Sequence, residues 1–183
     1  MNIKQLAISV FAVASLSTLS GCAVTGSPRP EHFMPNVSSS ATSQNTAHNV
    51  ELGETKGFVG MGMFSHYANL DNNEARTALE KSLGNAGMLA QKGQGRYVLD
   101  VNMKDTGEHK SVFGTNWGGT NRHMIAQYVV KDKQQNNVKV LDKTIESKTH
   151  AGMGYFYYLS ERPAGEQAYK QNFEDGIKAV QQL

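Results

Sequence analysis

Tyr97-Val98-Leu99-Asp100-Val101-Asn102-Met103 is the stretch that decides the fold. In an extended chain Tyr97, Leu99, Val101 and Met103 point one way, and Asp100 and Asn102 the other. The same alternation returns from His123 to Lys131, with Met124, Ala126, Tyr128 and Val130 on one face. Asp132-Lys133-Gln134-Gln135-Asn136-Asn137 reads as a hairpin turn. Val138 to Ser147 returns as a third strand, with Leu141 and Ile145 inward and a bulge near Val140. An earlier strand is expected over Lys56 to Phe64, interrupted by Gly57, Gly60 and Gly62.

Helical spacing takes over on either side. Asp71-Asn72-Asn73-Glu74 can cap a helix, and Glu74 suits the positive end of its dipole. Ala75, Ala78, Leu79, Ser82, Leu83 and Ala86 then share one stripe. Gly87 can end the helix, with Met88 and Leu89 packing back. Gly165 to Leu183 predicts a second helix whose apolar positions are Ala168, Tyr169, Phe173, Ile177, Val180 and Leu183. The order is β-α-β-β-β-α. An α+β two-layer sandwich, about four mostly antiparallel strands with two helices on one face, buries both stripes most simply.

The chain has 183 residues, a net charge of +2 and a mean hydropathy of −0.47. Residues 1–21 read as a secretory signal: Lys4, an apolar run from Leu6 to Ala14, then small and polar residues to Gly21. That run is shorter than the roughly 20 residues a membrane-crossing helix needs. Without it, 162 residues remain, one domain's worth, with a net charge of +1 and no basic run to suggest nucleic acid. Residues 22–50 are rich in Ser, Thr, Asn and Pro, and are expected as a flexible linker; the 28 residues from Ala23 would span about 30 Å. Residues 51–183 form the expected α/β domain.

Leu19-Ser20-Gly21-Cys22 resembles the lipobox of bacterial lipoproteins. The resemblance implies cleavage between Gly21 and Cys22, a diacylglycerol on the Cys22 thiol and a second acyl group, such as palmitate, on the new amino terminus. Cys22 is the only cysteine, so it has no internal disulfide partner, and lipidation would remove a stray thiol from an oxidising compartment. The alternative is an ordinary secreted protein whose signal happens to end in cysteine. Ala23 stands where lipoproteins retained at the inner membrane often carry aspartate. By that family rule the address is the outer membrane, facing the periplasm; the alternative is the outer face of the cytoplasmic membrane.

The segments Ala78-Leu79-Glu80-Lys81-Ser82-Leu83-Gly84-Asn85-Ala86-Gly87 and Arg96-Tyr97-Val98-Leu99-Asp100-Val101 look like small, mostly uncharacterised proteobacterial lipoproteins. Glu161-Arg162, Glu166 and Asn172 stand in places comparable to theirs. The likeness covers roughly residues 56–183 and consists mainly of packing patterns. The chain departs from it in Gly114-Thr115-Asn116-Trp117-Gly118-Gly119-Thr120-Asn121.

Chemistry-bearing motifs are sparse. No Gly-x-Ser-x-Gly elbow occurs, and the glycines at 57, 60 and 62 lack dinucleotide or P-loop spacing. The histidines His32, His48, His66, His109, His123 and His150 form no helical pair or His-x-His cluster. His109, His123 and His150 lie near strand ends, where convergence would allow a metal site. Glu161, Arg162 and Glu166 suit a structural ion-pair network. The best lead is aromatic: Tyr155, Phe156, Tyr157 and Tyr158 in succession, and Trp117 between glycines. Successive strand residues face opposite sides, so some of these rings should be exposed for partner contact. These features favour a non-enzymatic binding or accessory lipoprotein with no cofactor, held to the membrane through Cys22 and meeting an envelope protein or lipid. The alternative is an envelope hydrolase using histidine and carboxylate, with or without metal. Nothing in the sequence sets an oligomeric state.

Overall fold

The structure, a computed structural model, describes residues 30–60, 69–107, 120–151 and 157–183. Its main elements are β1 (Val50–Lys56), α1 (Asn72–Asn85), β2 (Tyr97–Asp105), β3 (Thr120–Asp132), β4 (Val138–Ala151) and α2 (Tyr157–Gln181). The sheet order is β1-β2-β3-β4, with β1 parallel to β2 and the other pairs antiparallel. It is an α+β fold with an open mixed sheet under two helices, a two-layer sandwich. No helix of the described residues is long and apolar enough to cross a membrane.

The alternation explains the sheet. Leu99, Val101, Met124, Ala126, Tyr128 and Val130 are fully buried, while residues between them on β2 and β3 are partly or fully exposed. On α1 the Asp71 carboxylate accepts from the backbone N–H of Asn73 and of Glu74, and Glu74 reaches back to the Asp71 N–H at 2.9 Å, closing a capping box. Its Ala75, Ala78, Leu79, Ser82 and Leu83 are buried, as are Tyr169, Phe173, Ile177 and Val180 of α2. These side chains join the sheet residues in one apolar cluster, so both helices lie on the same face. The bulge near Val140 is present: Leu141 pairs with Val130 and Lys139 with Lys131, which leaves Val140 without an opposite residue.

A polar ladder fastens α2 to β4. The Thr149 hydroxyl donates to the Ala164 carbonyl (2.8 Å) and the Ser147 hydroxyl to that of Ala168 (3.0 Å). The Asn172 amide donates to the Ile145 carbonyl (3.1 Å). Two residues of strand rise about 6.8 Å and four residues of helix about 6 Å, so the two repeats stay in step. One turn further on, Gly176 lies against the Tyr128 ring: a Cβ there would be 2.3 Å from it.

Three expectations need correction. The first strand spans Val50–Lys56, ahead of the expected 56–64: Gly57 takes φ +79° and turns the chain out of the sheet, residues 57–60 are not strand, and 61–64 lie outside the described residues. The second helix begins at Tyr157 and carries Pro163 inside it, two turns before the expected Gly165. Proline removes one backbone donor, but contacts to β3 and β4 from Glu161, Ala164 and Ala168 hold those turns in place. Finally, residues 30–49, expected within the flexible linker, are packed against the helices. Phe33 is 1 % exposed and meets Tyr169 edge to face at 5.2 Å; Val37 and Thr46 are buried. Gln181 donates to the Ser38 carbonyl and the Thr42 hydroxyl, each at 3.0 Å, and Thr42 donates to the Ala86 carbonyl. The burial of Phe33 and Val37, the packing of Met34 against the same cluster and satisfied backbone groups offset the ordering entropy of this segment.

Candidate functional site at the loop end of the sheet

Because β1, β2 and β4 run one way and β3 the other, the ends of those three strands and the start of β3 share one end of the sheet. Arg122 is the third residue of β3 and lies in phase with Met124 and Ala126, on the inward face. A guanidinium at a dry position must be paired, since an isolated charge is very costly to remove from water. Arg122 is 1 % exposed, and its planar donor fork is shared among distant segments. Nε donates to the Thr106 carbonyl (2.7 Å), Nη1 to Glu161 and Nη2 to the Asn69 side-chain oxygen. Glu161 and Asn69 are as buried as Arg122.

These partners sit at chain stems. Thr106 follows β2, Asn69 precedes α1, Glu161 lies in the second turn of α2, and Arg122 opens β3. One cation therefore fixes the spacing of four segments at the loop end. The expected Glu161–Arg162–Glu166 network divides in two. Glu161 faces inward to Arg122, whereas Arg162 faces outward, 2.9 Å from Glu166, with His32 3.5 Å from the same carboxylate. The missed member is Arg122, and a signal for it existed: a charged residue in phase with an apolar strand face.

The expected partner contacts are distributed as follows. Trp117, Tyr155 and Phe156 lie outside the described residues, as do Gly21 and Cys22. Tyr157 and Tyr158 are in the first turn of α2. The chain holding Trp117 leaves from Gly107 and returns at Thr120, and that holding the aromatic run leaves from Ala151 and returns at Tyr157. Both connections start and finish at the end organised by Arg122.

Of the three strand-end histidines, His109 lies outside the described residues. His123 and His150 both project from the outward face of the sheet. His123 Nε2 is 2.5 Å from Glu146, and His150 Nδ1 is 2.8 Å from the Asn121 side-chain oxygen. Lys148 also binds Glu146 (2.8 Å), and these two partners, the lysine first, hold its carboxyl below the ordinary glutamate range. Among the described residues no group of three or more His, Cys, Asp or Glu side chains could hold a metal.

The opposite end of the sheet has its own arginine–carboxylate pair. Arg96 Nη2 is 2.5 Å from Asp132, and its guanidinium stacks over Tyr97 at 5.0 Å. Asp132 also accepts from the Gln134 N–H (2.9 Å) in the β3–β4 turn. The Arg96 hydrogen bond, aided by that backbone donor, holds the Asp132 carboxyl below its ordinary range.

No family model matches the sequence, and no curated protein sequence matches it. Solved structures are similar to it in fold. A Xanthomonas campestris protein of the DUF330 family superposes with a TM-score of 0.53 at 9 % identity, over 80 % of this chain and 86 % of that one. PelC from Paraburkholderia phytofirmans, solved as a dodecamer, gives a TM-score of 0.48 at 12 % identity, over 81 % and 92 %. A minor lipoprotein from Acinetobacter baumannii gives 0.41 at 11 %, over 74 % and 91 %. At such identities the likeness to the Xanthomonas protein is one of fold alone.

Proposed function

We propose that this chain is a lipid-anchored bacterial envelope lipoprotein whose folded body acts as a non-enzymatic binding or accessory domain. The signal and the Leu19-Ser20-Gly21-Cys22 sequence support the anchor, and Ala23 supports the outer membrane as its address. The observation that carries the binding role is the convergence of stems on Arg122: the connections holding Trp117 and Tyr155 to Tyr158 begin and end at one rigid frame. Aromatic side chains carried on connections whose ends are fixed together suit contact with a protein or lipid partner. The carboxylates nearest that frame also fit a structural role, since Glu161 is held by Arg122 and Glu166 by Arg162.

Two measurements test the reading. Intact mass of the protein purified from membranes should show a diacylglycerol and an acyl chain on Cys22, both lost in Cys22→Ser. Photocrosslinking from position 117 or 157 in cells should recover a defined envelope component. An unmodified thiol at the first mature residue refutes the anchor, and recovery of no envelope component refutes the partner role.

A further inference from the structure

We infer that the helix layer, and not the open face of the sheet, is turned toward the membrane that anchors the chain. The inference rests on the lipid anchor proposed above and on where the ordered chain begins. Residues 30–33 form a 3-10 turn fixed on the outside of the helix layer. Phe33 is inserted beside Tyr169 of α2, Glu31 is paired with Lys81 of α1, and His32 lies beside Glu166 of α2. The chain therefore enters the body across the α1–α2 groove, and only eight peptide steps separate Pro30 from Cys22. Fully extended, those steps reach about 28 Å.

A helix layer on a sheet is about 20 Å thick. To bring the outward sheet face to the bilayer, a tether leaving the α1–α2 groove would first have to cross one helix diameter, about 10 Å, to an edge and then descend the thickness of the body, about 30 Å in all and beyond its extended reach. A linker running freely to residue 50 would impose no such limit; the packing of residues 30–49 creates it. His32 also approaches Arg162 (3.4 Å), the neighbour of Glu161 in sequence. The entry point thus lies at the same end of α2 as the Arg122 frame. The sheet face carrying Asn121, His123, Glu146, Lys148 and His150 is left facing away.

With Cys22 acylated, an introduced cysteine is the only free thiol, which makes the test direct. Full-length lipidated protein in phospholipid vesicles carrying an acceptor dye on the headgroups is labelled with a donor at Lys170→Cys, exposed on α2, or at Thr144→Cys, exposed on the outward face of β4. With the faces about 20 Å apart, energy transfer from position 170 should exceed that from 144 by about twofold or more. A Gly/Ser insert of about 20 residues between positions 29 and 30, with a reach near 25 Å in random coil, should erase the difference. Equal transfer from the two positions without the insert, or stronger transfer from 144, overturns the orientation alone. Failure of the protein to float with vesicles, with Cys22 unmodified by mass, overturns the anchor and the orientation with it.

Discussion

Each end of the sheet is tied by an arginine and a carboxylate, yet the two pairs do different work. At the hairpin end Arg96 is 30 % exposed, its stem covers Tyr97, and Asp132 is already satisfied by the adjoining turn. Its partners are the ends of neighbouring strands, so it staples a structure that backbone pairing has already set. At the loop end Arg122 and Glu161 are each 1 % exposed, and the guanidinium reaches stems that share no strand pairing with one another. A half-wet pair adds modest local stability. A dry pair stabilises little on balance, because desolvation opposes the attraction, but breaking it strands a charge. The contrast teaches that burial and the number of segments joined, more than the chemistry of the pair, decide what such a contact contributes.

The largest expected effect breaks the loop end. Arg122→Met leaves Glu161 buried without its cation and should cost about 3–5 kcal/mol, read as a lower urea midpoint. Adding Glu161→Leu should return much of that loss; if it does not, the pair is not the source of the cost. Between the two ends, Gly176→Ala pushes a methyl into the Tyr128 ring and should cost about 1–3 kcal/mol by overpacking. Thermal unfolding of Gly176→Ala with and without Tyr128→Leu checks that the ring is the obstacle.

At the hairpin end the expected signature is a pH profile. The folded Asp132 carboxyl titrates below its ordinary value, so the stability it confers is complete above the unfolded value near 4. It is lost as the pH falls from there through the folded value. Wild type should therefore exceed Asp132→Asn in urea midpoint at pH 7, and the gap should close below about pH 4. A gap that persists at pH 2 would place the effect elsewhere. The smallest change is expected one residue from Glu161: Arg162→Ala removes a half-exposed partner of Glu166 and should cost no more than about 1 kcal/mol. A loss at Arg162 comparable to that at Arg122 would abolish the distinction between the wet and the dry pair.

Much of the fold was legible in the chain. The faces of β2 and β3, the capped helix from Asp71, the turn at Asp132 and the bulge at Val140 all follow from local periodicity and turn chemistry. The site was legible only in part. Arg122 interrupts an apolar alternation, which marks it as a paired buried charge, but its partners lie 16, 39 and 53 residues away. No spacing rule reaches across such gaps. Phe33, Met34 and Val37 were equally visible as apolar residues, yet they follow no helix or strand period in a stretch rich in Ser, Thr, Asn and Pro, and are too sparse to announce a packed segment.

By itself, then, the sequence determined the strand faces, the helix stripes and the order of elements, because each depends on contacts within one or two turns of the same element. The tertiary structure alone decided that Glu161 turns inward while Arg162 turns outward, that Pro163 sits inside a helix, and that residues 30–49 belong to the body. Those outcomes depend on groups brought together only when the layers close, where the entropy of ordering is offset by burial that no single segment can supply.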